Sequence, residues 1–220
     1  MKKPLKNWNL NLEWWNLVTT IKLITINMLG LKLPTDPRWV EIVESNIPEI
    51  LTDHAYCEQK ATTNAMYIVI NFPEYTELVS DMIDLAQEEL QHFKMVHDII
   101  KKRGLVLGRE RKDPYAGDIY GFMRKGHIRK YVLIDRLLFS ALIEARSCER
   151  FRLLSEQISD QELKDFYREL MISEAIHYKT FISYARKYSE GEDIDKRWQE
   201  FLDFEATVIA KYGDNATMHG

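Results

Sequence analysis

Residues 88–93 read EELQHF and residues 174–178 read EAIHY, and each stretch places a glutamate three positions before a histidine. Residues three apart share one face of an α-helix, so each pair sets a carboxylate beside an imidazole. On either side of each pair, the positions that follow at alternating intervals of four and three residues are almost all apolar. These residues are Leu78, Met82, Leu85, Val96 and Ile99 for the first pair, and Leu163, Tyr167, Leu170, Phe181, Tyr184 and Tyr188 for the second. The pattern predicts that both pairs lie at core positions of two helices.

Two further glutamates fall on helical seams of small and apolar residues. Glu58 lies among Leu51, Ala55, Thr62, Ala65, Val69 and Phe72, and Glu144 lies among Leu133, Leu137, Ser140, Ser147, Phe151 and Leu154. The spacing repeats in the two halves of the chain, because Glu58 precedes Glu89 by 31 residues and Glu144 precedes Glu174 by 30. Four helices are therefore expected to point one carboxylate each into the core.

Buried carboxylates must be protonated, paired or bound to cations, because an unpaired buried charge costs several kcal/mol. Two Fe(II) ions would balance four carboxylates, and four glutamates with two Glu-x-x-His histidines are the ligand set of the carboxylate-bridged di-iron and di-manganese proteins. A single Glu-x-x-His pair is usually a solvated pair, but two on apolar seams favour metal. The predicted ligands are Glu58, Glu89, His92, Glu144, Glu174 and His177. Ligand type does not separate iron from manganese.

Composition favours one mostly α-helical domain in a reducing compartment such as the cytoplasm. The chain has 220 residues, 45% of them hydrophobic, and glycine (9) and proline (6) are scarce. Two cysteines cannot form a disulfide framework. Residues 1–27 contain an interrupted apolar run too short to span a membrane, so we expect no membrane association. We interpret residues 1–27 as an N-terminal extension, or a mis-assigned start, and residues 28–220 as the domain.

Helix signals predict the architecture. The sequence predicts a short helix near 36–45, long helices near 48–71, 74–103, 128–156 and 160–188, and a last helix near 193–211. A Thr35-Asp36-Pro37 start, a left-handed cap at Gly104 and a capping box at Ser159–Glu162 mark the ends of three of them. The predicted fold is an all-α, ferritin-like four-helix bundle with additional short N-terminal and C-terminal helices.

Three residues near the predicted ligands have weaker signals. His54 lies one turn before Glu58, where it could support that ligand or form only a local hydrogen bond at the helix entry. Glu88 and Glu149 fall off the seams, so they are expected to face solvent.

A basic segment joins the two halves of a chain whose net charge is −4. Residues 101–131 have ten Lys or Arg and three acidic residues, a local charge of +7. The basic residues are Lys101, Lys102, Arg103, Arg109, Arg111, Lys112, Arg124, Lys125, Arg129 and Lys130. Such a run is commonly a solvated face, but as the crossover it could flank the site and bind phosphates. We therefore predict it as a phosphate-binding surface for nucleic acid.

Longer stretches resemble the tRNA-(ms2io6A) hydroxylases, the MiaE family. They are MLGLKLPTDPRW (28–39), LTDHAYCEQKAT (51–62), EELQHF (88–93), GLVLGRERKDPY (104–115), DRLLFSALIEARSCERF (135–151) and SEAIHYKTF (173–181). The resemblance implies a non-haem di-iron monooxygenase that hydroxylates the isopentenyl group of 2-methylthio-N6-isopentenyladenosine next to the anticodon. It implies two iron ions, O2 as co-substrate, an electron-donating reductase or ferredoxin, and the same six ligands.

Two other functions fit parts of the pattern. A ferritin- or rubrerythrin-like protein that oxidises or stores iron would share the ligand set but offers no reason for the basic crossover. A bundle with purely structural acids, or one that binds RNA without chemistry, would contain no iron or manganese. The sequence leaves open the reductase, the oligomeric state and the need for the methylthio group.

Overall fold

The computed structural model describes residues 29–126 and 128–219, and the regular secondary structure in these ranges is entirely helical. The helices are α1 (Trp39–Ser45), α2 (Ile47–Asn71), α3 (Thr76–Lys102), α4 (Pro114–Phe122), α5 (Arg129–Gln157), α6 (Gln161–Lys187) and α7 (Ile194–Tyr212). Four long helices with a crossover between the second and third confirm the predicted all-α bundle with additional helices. The predicted extension, residues 1–27, lies outside the described residues.

The four long helices form two hairpins. α2 packs along α3, and α5 packs along α6, whereas α2 meets α5 and α3 meets α6 at far fewer positions. α4 lies within the crossover and packs mainly against α7. Among the described residues, no helix combines the length and apolar character needed to cross a membrane.

Local signals set some helix ends, and tertiary contacts set others. α3 ends before Gly104, whose φ of +68° allows the backbone N–H of Leu105 to donate to Ile100 O at 3.0 Å, as predicted. The capping box predicted at 159–162 is wrong. The side chain of Asp160 caps α6 by accepting from the backbone N–H of Leu163 at 3.1 Å, while the backbone N–H of Ser159 donates to Glu44.

The predicted start of the first helix is also too early. α1 begins at Trp39, because the Asp36 carboxylate accepts hydrogen bonds from Arg38 and the Thr35 hydroxyl donates to Glu149 at 2.6 Å. Glu149 is thus buried, and the prediction that it faces solvent is wrong. Arg146 Nη1 lies 3.0 Å from Glu149 Oε2, and the same guanidinium also pairs with Glu205. Because this guanidinium is fully buried, it needs carboxylate partners inside the fold.

The segment after α7 returns to the bundle and fills part of its core. The backbone N–H of Met218 donates to Asp53 Oδ2 at 2.6 Å, and Arg150 Nη1 donates to Thr217 O at 2.8 Å. His219 Nδ1 lies 3.2 Å from Asp113 Oδ2, and its Nε2 lies 3.0 Å from the Ser147 hydroxyl. The chain end therefore joins α2, α5 and the crossover, a role that the sequence spacing of His219 did not indicate.

Candidate metal centre

Six buried side chains from four helices converge in the bundle core. α2 provides Glu58, α3 provides Glu89 and His92, α5 provides Glu144, and α6 provides Glu174 and His177. None of the six is more than 6% exposed. The structure therefore brings together all six residues of the predicted ligand set, three from each hairpin.

The six side chains form two overlapping groups of potential ligands. One group is Glu58, Glu89, His92 and Glu174, and the other is Glu89, Glu144, Glu174 and His177. Within each group the donor atoms all lie within 4.8 Å of one another. Glu89 and Glu174 belong to both groups, so these two carboxylates could each contribute to both of two ions. Each remaining glutamate and each histidine belongs to one group only.

Several donor atoms face a common space rather than each other. His177 Nδ1 lies 2.8 Å from Glu89 Oε1, yet neither atom has a hydrogen-bond partner among the described residues. Glu174 Oε1 is also buried without a partner. Buried polar atoms are rarely left unpaired in proteins, and lone pairs that converge on one point can be satisfied by a cation there. The donor arrangement thus fits metal ions.

The electrostatics of the core also favour cations. Burial raises the pKa of Glu89, and burial together with the nearby Glu174 holds the pKa of Glu144 well above its usual range. Burial alone would lower the pKa of His92, but the adjacent carboxylates of Glu58 and Glu89 outweigh it and raise that pKa to about 10. Without metal, the core thus compensates its carboxylates with protons. Bound cations would replace those protons.

His54 contacts one ligand from outside the centre. Its Nε2 lies 2.6 Å from Glu58 Oε1, and its ring is fully buried against Phe151, Phe166 and Tyr167. Burial lowers the pKa of His54 to about 3, so the ring is neutral and its Nε2–H donates to the carboxylate. Glu58 Oε2 is left to face the centre, 3.6 Å from His92 Nδ1. This contact fits the supporting role that the sequence left open for His54, and it is also a local hydrogen bond within α2.

Glu88 contacts the other hairpin's histidine. Its side chain is 52% exposed, in agreement with the prediction that it faces solvent, but Oε2 lies 3.1 Å from His177 Nε2 and Oε1 accepts from the Ser173 hydroxyl at 2.9 Å. With Nε2 bonded to Glu88, Nδ1 of His177 faces the centre, where its lone pair would be available to a metal ion. Such outer carboxylates orient metal-binding histidines. Sequence patterning missed this contact because it crosses between α3 and α6.

The chemistry of the donor set selects among metals. Four carboxylates and two imidazoles suit iron or manganese, whereas structural zinc sites usually use thiolates and four ligands. Neither cysteine belongs to the two groups. Cys57 instead lies beside His219, with Sγ 3.6 Å from Nδ1, and Cys148 donates to Met171 O between α5 and α6.

The basic residues of the crossover do not form one continuous surface, because some lie at one end of the bundle and others at the opposite end. Lys102 and Arg103 pair with Glu162 at the start of α6, and Arg129 and Lys130 pair with Glu74 and Glu190 at the opposite end. Seven of the ten basic residues have a carboxylate within 4 Å among the described residues, and these are Lys101, Lys102, Arg103, Arg111, Arg124, Arg129 and Lys130. Arg109, Lys112 and Lys125 are the others. The local charge of +7 is therefore largely neutralised within the fold.

Comparisons with known proteins identify a family and two relatives of this chain. Residues 22–220 match the family model described as tRNA-(MS[2]IO[6]A)-hydroxylase (MiaE). A Pseudomonas putida protein named tRNA 2-(methylsulfanyl)-N(6)-isopentenyladenosine(37) hydroxylase is 36% identical, over 73% of this chain and 77% of that protein. A Salmonella typhimurium protein of the same name is 28% identical, over 81% of this chain and 83% of that protein.

A solved structure is similar in fold and in sequence. It is described as "Protein 43 with aldehyde deformylating oxygenase activity from Synechococcus". The TM-score is 0.80 at 32% identity, and the match covers 86% of this chain and 95% of that chain.

Proposed function

The chain belongs to the MiaE family, and on this premise we propose that it hydroxylates the isopentenyl side chain of 2-methylthio-N6-isopentenyladenosine next to the anticodon of tRNA. The observation that carries the proposal is the pair of overlapping ligand groups, sharing Glu89 and Glu174, in a chain of this family. A tRNA substrate and two free thiols both fit the cytoplasm.

We propose two iron ions as the cofactor. Glu58, Glu89, His92 and Glu174 would hold one ion, and Glu89, Glu144, Glu174 and His177 the other. When bound, the ions would supply O2 activation with electrons from a reductase or ferredoxin.

The chain's own residues position the ligands and keep water away. His54 holds one oxygen of Glu58, and Glu88 fixes the tautomer of His177. Buried apolar side chains extend the seams on either side of the ligands, including Val96, Leu170 and Phe181. Such an environment excludes water from the reacting atoms and suits an isoprenoid side chain.

The ten basic residues of the crossover remain candidate tRNA contacts. Arg109, Lys112 and Lys125 are the most available of them, because the other seven already pair with carboxylates. Each phosphate contact adds to the salt dependence of binding. Replacing these three residues together should therefore weaken tRNA binding more than replacing three paired ones.

The direct test uses purified iron-loaded protein, tRNA that carries the prenylated adenosine, a reductant and O2. Nucleoside mass spectrometry should show the gain of one oxygen atom on the prenylated adenosine. Reactions without O2, and reactions with Glu174→Ala protein, should show none. An iron-loaded wild-type protein that leaves the nucleoside unchanged would refute the proposal.

A second candidate is an aldehyde-deformylating oxygenase. The similarity to the Synechococcus protein over 86% of this chain favours it. The same protein preparation, reductant and O2 should then release formate from an aldehyde. Formate release without tRNA hydroxylation would favour this candidate, and the opposite result would favour the tRNA substrate.

A further inference from the structure

Arg136 on α5 is a buried cation whose charge has no carboxylate partner among the described residues. The residue is 8% exposed, and only Nη1 donates a hydrogen bond, to Asn64 Oδ1 at 3.1 Å. Its Nε is buried and has no partner in residues 29–126 and 128–219. Arg150, which is fully buried, shows the usual alternative, since it donates to the carbonyl oxygen atoms of Gly213 and Thr217.

Aromatic rings surround the guanidinium of Arg136. Its Cζ lies 4.2 Å from the ring centre of Tyr67, 5.1 Å from Tyr120 and 5.9 Å from Phe139. The two tyrosine side chains remain open to solvent, at 37% and 43% exposure. Lys125 lies over the Tyr120 ring at 5.5 Å and adds a second positive charge. A buried cation beside exposed rings is suited to a ligand that carries both an anion and a flat ring.

The cluster lies between the two hairpins, on the side where α2 faces α5. Asn64 joins these helices, because it accepts from Arg136 and its Nδ2 donates to the Ser140 hydroxyl at 2.7 Å. Ser140 is one helical turn from Arg136 and one turn from Glu144. Arg136 is therefore about 12 Å along the helix from a candidate metal ligand. That span is comparable with the length of a nucleotide that carries a five-carbon side chain.

We propose that Arg136, Tyr67 and Tyr120 form the subsite that binds the nucleotide to be modified, with the guanidinium on its phosphate and the tyrosine rings beside its base. This assignment rests on the proposed tRNA substrate and specifies where the reacting nucleotide enters. The incoming phosphate supplies the negative charge that Arg136 lacks among the described residues, and the bound nucleotide lies at the α2–α5 side, about 12 Å along α5 from Glu144.

The test compares Arg136→Gln with Arg168→Gln, which removes an equal charge from an exposed ion pair with Asp165 on α6. The substrates are prenylated anticodon stem-loop RNA, the prenylated adenosine 5′-monophosphate and the free nucleoside. Arg136→Gln should raise KM for the RNA about tenfold, leave kcat within about twofold, and reduce the salt dependence of binding by about one phosphate contact. Arg168→Gln should change none of these values by more than about twofold.

The difference in affinity between the nucleoside and the monophosphate measures the contribution of the phosphate contact. Wild-type protein should bind the monophosphate about tenfold more tightly than the nucleoside, and Arg136→Gln should bind both equally. This comparison in the wild-type protein tests the assignment even where the variant does not fold. Equal wild-type affinity for the two compounds would overturn it.

Arg136→Met separates binding from stability. Because an apolar side chain replaces an unpaired buried charge, the Tm of this variant should equal or exceed that of the wild-type protein while RNA affinity falls. A large loss of Tm with unchanged KM would assign Arg136 a structural role instead. Wild-type protein that hydroxylates the RNA, with unchanged KM in Arg136→Gln, would overturn the subsite alone. Wild-type protein that hydroxylates no prenylated RNA would refute the proposed function itself.

Discussion

At the scale of single residues, the four candidate glutamates are of two kinds, and the difference can be measured. Glu89 and Glu174 each face both ligand groups, whereas Glu58 and Glu144 face one group each. A bridging carboxylate contributes to both ions, so its loss should affect both. A terminal carboxylate should affect mainly its own ion.

We predict that Glu174→Ala protein retains almost no metal, while Glu58→Ala and Glu144→Ala retain close to half of the wild-type content. Purified proteins reconstituted anaerobically with Fe(II) and analysed by mass spectrometry for metal per chain provide the measurement. The two terminal variants serve as matched controls, since each also removes one buried carboxylate. Equal losses in all three variants would show that the two groups do not bind separate ions.

A second prediction concerns His54. Its replacement by leucine removes the hydrogen bond to Glu58 Oε1 and should lower Fe(II) affinity about 10–100-fold, the usual effect of losing an outer partner of a ligand. A Co(II) titration followed by absorbance measures this without turnover. Thr62→Val is the control, because the Thr62 hydroxyl donates only to the backbone oxygen of Glu58. Equal affinities of the two variants would contradict the supporting role.

The six candidate ligands could be predicted from the sequence because helical periodicity places each of them on the core-facing side of its own helix. It could not predict the partners of Glu88, Glu149 and His219, since each of them contacts a residue at least 70 positions away or on another element. Periodicity classifies a residue as facing the core or solvent. It does not predict which distant residue a side chain contacts, whether on another helix or near residue 219.

At the scale of elements, helix ends show where local chemistry is sufficient. Gly104 ends α3 by adopting a left-handed backbone, which glycine permits at low cost, and the sequence predicts it. At the start of α6 both Ser159 and Asp160 have side chains able to cap, so local preference gives two answers. Ser159 bonds to Glu44 through its backbone N–H, and the Asp160 side chain accepts from Arg103. These contacts favour Asp160 as the cap, and both partners are distant in sequence.

We predict opposite effects of alanine at two glycines. Gly104→Ala should destabilise the protein by about 1 kcal/mol, because its φ is +68° although nothing lies within 4 Å of the added Cβ. Gly117→Ala, in the interior of α4 with equally open surroundings, should stabilise it by up to about 1 kcal/mol. Urea unfolding followed by circular dichroism measures both. A loss of stability in both variants would indicate steric rather than conformational causes.

At the scale of the whole molecule, one buried carboxylate joins the crossover to the last helix. Asp135 on α5 accepts from Arg124 at 2.6 Å and from Arg197 on α7 at 2.7 Å. Burial would raise the pKa of Asp135, but the hydrogen bonds to Arg197 and Arg124 outweigh it and lower that pKa. The resulting stabilisation is present above the unfolded pKa, near 4, and is lost as pH falls through the folded value.

We therefore predict that Asp135→Asn costs about 3 kcal/mol at pH 7 and that this difference shrinks as pH falls below about 4. Urea unfolding of wild-type and variant protein between pH 7 and pH 3 measures the change. Asp165→Asn, which removes an exposed ion pair, should cost less than about 1 kcal/mol. A difference for Asp135→Asn that stays constant over this range would contradict the assignment.

The division of the six candidate ligands between the two hairpins has a consequence for the effect of metal on stability. Each hairpin contributes three of the six candidate ligands, and the two hairpins share few close backbone contacts, so bound ions would cross-link them. Amide hydrogen exchange should then be slow within each hairpin whether or not metal is bound. Chelation should accelerate exchange mainly near the six candidate ligands, because the helices that contribute them would lose the cross-link.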